Sequence, residues 1–449
     1  MLIALIAAAS TLAVWLWPVP RHEGLEFWTF GRQHFTAYKP EVERWNRAYP
    51  EKAVDLQLLQ FTALERRLLS ALRAETPAAD FVEVERMVVG ETFAGPLEDI
   101  GFVDLTDRLR AGGWLERFNP PSFSPWTSRG RIFGLPHDVH PVLLAYRADL
   151  VEAAGIDVAQ IETWDDFARV LAPLMAERGG DGRPLRHLLS YWPTNVDQTE
   201  ILLLQAGGNF FDEQDRPALD SPVNARVMAQ LTGWVVGPGR IAVDAKEMTA
   251  AGNRLRLDGG VVCTLMSDWL TGVWKNDLPG LAGKMKLMPL PAWEPGGRRT
   301  SVYGGTSLMI PKRSRNVDEA FTFALHLYTS PAVCDAFFRD VGVIPPFRGH
   351  WMRPVFDEPN PYFCGQRVGR MFIGQAPEVP RRSSSPFTVE ARRSYCVALQ
   401  ELVAWAEATR RFDRVALEAK GRELLVRAQA DLVRRVGRNT FLREEAPAP

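Results

Sequence analysis

Cysteine is scarce in this chain: Cys263, Cys334, Cys364 and Cys396 are the only four among 449 residues. None shares a Cys-x-x-Cys spacing or a zinc-type interval with histidine, which argues against a structural zinc site. Four thiols permit three pairings, and spacing neither selects one nor separates disulfides from buried thiols. Charge of one sign is also lacking. The 53 basic and 54 acidic residues leave a formal net charge of -1, and no basic arm or tail is present, which argues against a nucleic-acid-binding protein. Also missing are GxSxG, HExxH, a Walker loop and a GxGxxG following a strand, so the familiar signatures of hydrolases, zinc proteases and nucleotide binders are absent. No internal repeat is visible.

Long apolar runs are limited to the start. Residues 2–19 (LIALIAAASTLAVWLWPV) carry no charge, and Arg21 and Glu23 end the run. The segment reads as a secretory signal segment or a short membrane anchor. It has no Lys or Arg before the apolar stretch, and Thr11-Leu12-Ala13 is one weak candidate for cleavage. A helix apolar on every side at an extreme terminus rarely packs all its faces. The chain that follows is therefore expected to work outside the cytoplasm, free or tethered.

What remains has the make-up of a soluble globular protein, 46% hydrophobic and 24% charged. Its length exceeds one ordinary core, so two lobes are expected. Leu25–Phe30 reads as a strand, residues 39–48 as a helix stopped by Pro50, and Val54, Leu56 and Leu58 as an alternating strand. Thr62-Ala63-Leu64-Glu65 has the form of a capping box opening a helix with Leu64, Leu68, Leu69 and Leu72 on one stripe. A short strand runs from Asp80 to Glu83. This β-α-β-α-β order implies a parallel sheet, which binds ligands beyond the carboxyl ends of its strands. Further on, Thr163-Trp164-Asp165-Asp166 caps a helix. Residues 207–222 look like a hairpin whose aspartates perform turn chemistry rather than calcium binding. Val261–Met266 and Lys286–Pro291 read as strands, Asn316-Val317-Asp318-Glu319 as a helix start, and 386–409 and 413–436 as amphipathic helices.

The segment from Gly134 to Leu150 is the most informative. Pro136 and Pro141 stiffen the backbone around His137, Asp138 and His140, as expected where a chain crosses between lobes and presents polar groups. His137 and His140 would need a third ligand to hold a metal, and none is indicated. Gly304-Gly305 is either an ordinary loop pair or a place where backbone approaches a ligand or flexes. Asp268-Trp269 is either a helix cap with a core ring or a carboxylate beside a stacking ring. Trp192 and Trp351 lie in proline-containing loops open to the same two readings, core packing or cleft. Glu83 and Glu85 share a strand face. They could be an acid–base pair of a glycosidase, acceptors of hydroxyl hydrogen bonds, or solvated. The 14 tryptophans mainly serve packing, yet flat amphipathic rings also suit half-apolar ligands.

Taken in order, several short motifs resemble a known family. They include Phe27-Trp28-Thr29-Phe30, Ala79-Asp80-Phe81-Val82, Gly95-Pro96-Leu97-Glu98-Asp99-Ile100 and Ile132-Phe133-Gly134-Leu135-Pro136. Ala145-Tyr146-Arg147-Ala148-Asp149-Leu150, Ala154-Gly155-Ile156-Asp157, Ser267-Asp268-Trp269, Tyr303-Gly304-Gly305 and Val343-Ile344-Pro345-Pro346 continue the series. The chain resembles the family 1 extracellular solute-binding proteins, the sugar-binding components of bacterial ABC importers. That resemblance implies an α/β, two-lobed periplasmic-binding-protein-like fold of type II. Each lobe would be a mainly parallel sheet flanked by helices, with a helical C-terminal region. Residues 1–22 would be the signal or anchor, 23–138 and 304–343 the N-terminal lobe, 139–303 and 344–443 the C-terminal lobe, and 444–449 a tail. The ligand, a mono- or oligosaccharide, would contact Arg32, Gln33, Glu83, Glu85, His137, Asp138, His140, Trp192, Asp268, Trp269, Tyr303, Gly304, Gly305 and Trp351. No catalytic residue, metal or cofactor is implied. The partners would be permease subunits, the membrane contact only the N-terminal segment, and the protein a monomer. Two rivals remain: a glycoside hydrolase, and a binder of another solute such as a glycerol phosphodiester. Arg32, Arg348 and His137 around one cleft would favour an anion.

Overall fold

The computed structural model describes residues 24–442 apart from 181 and 183. The apolar segment at residues 2–19 lies outside them. No helix among the described residues is long and apolar enough to cross a membrane.

Strands β1 (Leu25–Thr29), β2 (Val54–Leu58) and β3 (Phe81–Glu85) pair in parallel, with β1 in the middle. A two-residue ribbon follows, β4 (Thr127–Ser128) with β5 (Arg131–Ile132), and then β6 (Leu135–Pro136). Here the chain crosses to a second sheet. That sheet holds β7 (Val142–Arg147), β8 (His187–Ser190), β9 (Ala242–Val243), β10 (Val261–Ser267) and β11 (Met285–Pro289), in the order β11-β7-β10-β8-β9. The chain then returns, and β12 (Thr306–Met309) completes the first sheet as β2-β1-β3-β12-β6. Each sheet keeps a parallel half. Strands at the crossings add the antiparallel pairings: β12 with β3 and β6, and β7 with β10 and β11. Every residue of β7 and β10 is buried, as expected of central strands covered on both faces.

The local signals explain most element ends. Thr163 and Asp166 make a reciprocal capping box before the helix Trp164–Leu171. Other ends differ from the sequence reading. The first helix begins at Arg32 and runs to Ala48 through Pro40, so it opens seven residues before the expected start. Gln60, not Thr62, caps the next helix by accepting from the Ala63 N–H. Asn316 gives its side chain to Asp80 instead of to the helix it precedes. Residues 207–222 form a loop with a single bridge between Phe211 and Pro217, in which Asp212 accepts from the N–H groups of Gln214 and Arg216. Turn chemistry is thus what Asp212 does, while Asp215 accepts from the Ser383 hydroxyl.

The helices Thr388–Thr409 and Arg414–Val436 pack on each other and on Pro222–Val235. Their Leu399, Leu402 and Leu425 are fully buried in the same cluster as Leu144 and Leu265 of the second sheet. All four cysteines are free; Cys364 is exposed and the others are buried. Leu402→Ala is expected to cost about 2–5 kcal/mol in chemical denaturation, the range for emptying a buried leucine site. A loss below about 0.5 kcal/mol, typical of surface changes, would detach the C-terminal helices from that core.

Candidate functional site

Three crossing segments meet: residues 137–141 and 301–305 join the sheets, and 341–345 lead from the helix Pro331–Asp340 of the first lobe to the helical C-terminal region. The first and second are laid side by side, with Pro141 bridged to Val302 and the Tyr303 N–H donating to the His140 carbonyl. His140 takes a left-handed backbone, φ 56°, a conformation in which histidine is tolerated better than most residues. That turn aims its ring between two carboxylates. Its Nε2 is 3.0 Å from Asp138 Oδ2 and its Nδ1 is 2.7 Å from Asp268 Oδ1.

All three groups are buried. Burial works against the imidazolium, but Asp138 and then Asp268 outweigh it and push its pKa up to about 10. Burial likewise opposes the Asp138 carboxylate, and His140 first, then His137, hold it well below the usual range. Both carboxylates also bind backbone. Asp138 accepts from the Thr306 N–H on the second crossing, and Asp268 from the N–H groups of Trp269 and of Ile344 on the third. The clamp therefore gathers all three crossings at the end of β10.

Above it, Trp269 donates from Nε1 to the Tyr303 carbonyl at 2.9 Å, and the two rings meet edge to face at 5.2 Å. Gly304 and Gly305 have φ of 105° and 141°. A Cβ on Gly304 would lie 2.8 Å from the His140 ring, and one on Gly305 2.8 Å from the Arg382 guanidinium. Only glycine lets those side chains lie so close to the crossing.

The lobes touch across the cleft. Arg86, at the end of β3, makes a two-pronged pair with Glu200 of the helix Val196–Gln205, at 2.5 and 3.1 Å. Arg392 of the C-terminal helices binds Asp197 and shares Glu200 at 3.0 Å. Burial disfavours the charged Glu200, but Arg86 and Arg392 overcome it and bring its pKa down to about 2. Arg382 donates to the Gly304 carbonyl. Burial, then repulsion from Arg86, lowers its pKa to about 9.

The sequence-derived candidates divide into three groups. Asp138, His140, Asp268, Trp269, Tyr303, Gly304 and Gly305 are brought together at the crossings. Glu85 stands beside Arg86, accepts from the Met87 N–H, and is pushed up by burial. The others go elsewhere. Arg32 and Gln33 are exposed in the first turn of a helix rather than in a loop. Glu83 is fully buried inside the first lobe, receiving the hydroxyls of Thr29 and Tyr38 and facing His34 at 3.1 Å. Glu85 lies two residues on in the same strand, but it is only half-buried and binds the Met87 N–H instead. Burial would raise the Glu83 pKa, but His34 and His137 hold it low. His137 stays on the first crossing and bonds to Asp138, but its ring is buried in the first lobe, stacked on His34 at 4.6 Å. Trp192 is half-buried against the second lobe, with the Arg240 guanidinium 5.6 Å from its ring. Trp351 donates to the Pro345 carbonyl and packs on that lobe too. Arg348 binds the Glu116 carbonyl on the exterior, so Arg32, Arg348 and His137 do not form one anion site.

A histidine pair with a third donor does occur, though with different members. The ligand atoms of His34, Glu83 and His137 lie within 4.8 Å of one another. The two rings are inclined by only 30°, so their in-plane lone pairs do not converge, and Glu83 already receives two hydroxyls. The trio satisfies a buried charge. The sequence reading missed Arg86, Glu200, Arg382 and Arg392. Arg86 directly follows the Glu83–Glu85 strand end, which was the one signal available.

A fold of two sheets with a buried hinge clamp can now be set beside known proteins. The model of the bacterial extracellular solute-binding protein family matches residues 32–333. The chain belongs to that family. This solute-binding protein is 26% identical over 375 residues to an arabinooligosaccharide-binding protein of Halalkalibacterium halodurans, covering 81% of each chain. It is 26% identical over 307 residues to the arabinooligosaccharide-binding protein of Bacillus subtilis, covering 67% of each. Among solved structures, the sugar-binding protein MalE of Xanthomonas citri superposes with a TM-score of 0.75 at 19% identity, covering 94% of this chain and all of that one. The shared architecture is the two-lobed α/β fold.

The clamp sets a pH dependence. The folded-state pKa of His140 is raised from 6.5 to about 10, so its stabilisation is complete below pH 6.5 and lost as pH rises through about 10. His140→Gln is expected to cost about 3–5 kcal/mol at neutral pH, because it leaves two buried carboxylates without their cation. Denaturation curves between pH 6 and 10.5 should show the wild type losing stability and the variant showing a flatter profile. An unchanged alkaline slope in the variant would assign the titration to another group.

Proposed function

We propose that this solute-binding protein captures an oligosaccharide between its lobes by hinge closure and delivers it to the permease of an ABC importer. The observation that carries this reading is the cluster at the crossings. It places an aromatic pair, Trp269 and Tyr303, over a glycine turn and beside buried carboxylates, at the point where three interlobe segments meet. Rings of this kind cover the apolar faces of sugars, and charged or amide groups take the hydroxyls. The names of the two arabinooligosaccharide-binding relatives support the same ligand class.

Residues 23–138 and 304–343 act as one jaw in this reading, and 139–303 with 344–443 as the other. Ligand bridging both shifts the population towards the closed form by its differential affinity for that form. The protein works as a monomer on the outer face of the membrane, secreted or held by its N-terminal segment. A hydrolase would need two carboxyl groups across one ligand. With Glu83 sealed inside its lobe, Glu85 has no such partner on its strand.

Isothermal calorimetry and thermal unfolding with a panel of pentose and hexose oligosaccharides test the assignment. One of them should bind and raise the melting temperature by linkage. Trp269→Ala should weaken that saccharide about tenfold or more, a loss of about 1.4 kcal/mol. A panel that leaves heat, melting and intrinsic fluorescence unchanged would remove the sugar assignment.

A further inference from the structure

Three guanidinium groups, each with five N–H donors, meet three carboxylates where the lobes touch. Glu200 is occupied by Arg86 and Arg392 on both oxygens, while Asp197 gives one oxygen to Arg392 and Glu85 one to the Met87 N–H. The donors are not used up. The Nε groups of Arg86 and Arg392 are buried without an acceptor. Arg382 reaches only the Gly304 carbonyl with its guanidinium and makes no ion pair among the described residues. Arg86 and Arg382 are fixed to the same turn, since the Arg86 N–H donates to the Gly305 carbonyl at 3.1 Å. The glycine pair removes the Cβ that would push the Arg382 guanidinium away.

A neutral sugar hydroxyl brings a donor with each acceptor, so it leaves the donor excess largely in place. A carboxylate brings acceptors alone, and its two oxygens match the fork of a guanidinium. We propose that the oligosaccharide captured here carries a uronic acid unit, and that Arg382 reads its carboxylate beside the Gly304–Gly305 turn. The inference rests on the cleft being a saccharide site and names the class of saccharide.

Calorimetry on the folded protein tests it with digalacturonate, its methyl ester, a glucuronic-acid-substituted xylooligosaccharide, xylotetraose and arabinotetraose. An acidic sugar should bind about tenfold or more tighter than its ester or a neutral chain of similar length. Added salt should narrow that gap. Arg382→Gln should erase the preference and Arg382→Lys should keep part of it. The wild-type comparison of acid with ester stands even if a variant fails to fold. Neutral oligosaccharides binding as tightly as acidic ones would overturn the uronate proposal and leave sugar capture standing. Silence towards every saccharide would overturn both.

Discussion

A single imidazolium between two buried carboxylates ties together everything that must move and everything that must not. His140 belongs to the first crossing, Asp138 reaches the second through the Thr306 N–H, and Asp268 reaches the third through the Ile344 N–H. Charges taken out of water are costly, and their mutual attraction repays that cost only when the geometry is good and the remaining lone pairs are satisfied. Here the Thr306 N–H binds Asp138, and the Trp269 and Ile344 N–H groups bind Asp268. The clamp is therefore a pivot of fixed register. The lobes can rotate about it through the crossing segments, but the crossings cannot slide past one another without exposing buried charge.

That constraint places the groups proposed to meet the ligand. Trp269 directly follows Asp268, and its indole N–H is held by the Tyr303 carbonyl. Gly304 packs against the His140 ring itself. Under the proposed function, groups built onto the pivot stay in position while the jaws move, which lowers the cost of ordering them when ligand arrives. The contacts farther out have the opposite character. The Arg86–Glu200 pair joins one lobe to the other and must separate for the cleft to open.

Much of the fold could be read from the chain because its causes are local. Val54, Leu56 and Leu58 alternate, Thr163 and Asp166 sit three apart, and Gly304-Gly305 precedes an apolar strand; each pattern acts within a few residues. Errors arose where two local signals competed. Pro40 concealed a helix that begins at Arg32, and Thr62 looked a better cap than Gln60. Two aspartates and a histidine of the site were found because prolines and a strand end marked their positions. The arginines were not, since nothing near Arg382 or Arg392 in sequence separates a cleft residue from an exposed one.

The sequence by itself determined the two α/β halves, the crossing at His137–Pro141 and the glycine turn, because periodicity, proline and glycine constrain the nearby backbone directly. Only the tertiary structure decided which charges meet. Arg86 and Glu200 are separated by 114 positions and His140 and Asp268 by 128. It also decided that Glu83 is sealed among Thr29, Tyr38 and His34, while Glu85, the last residue of β3, accepts from the Met87 N–H and caps the next helix. Alternation puts both residues on one face of β3, but what packs around each of them is settled by elements far away in the chain.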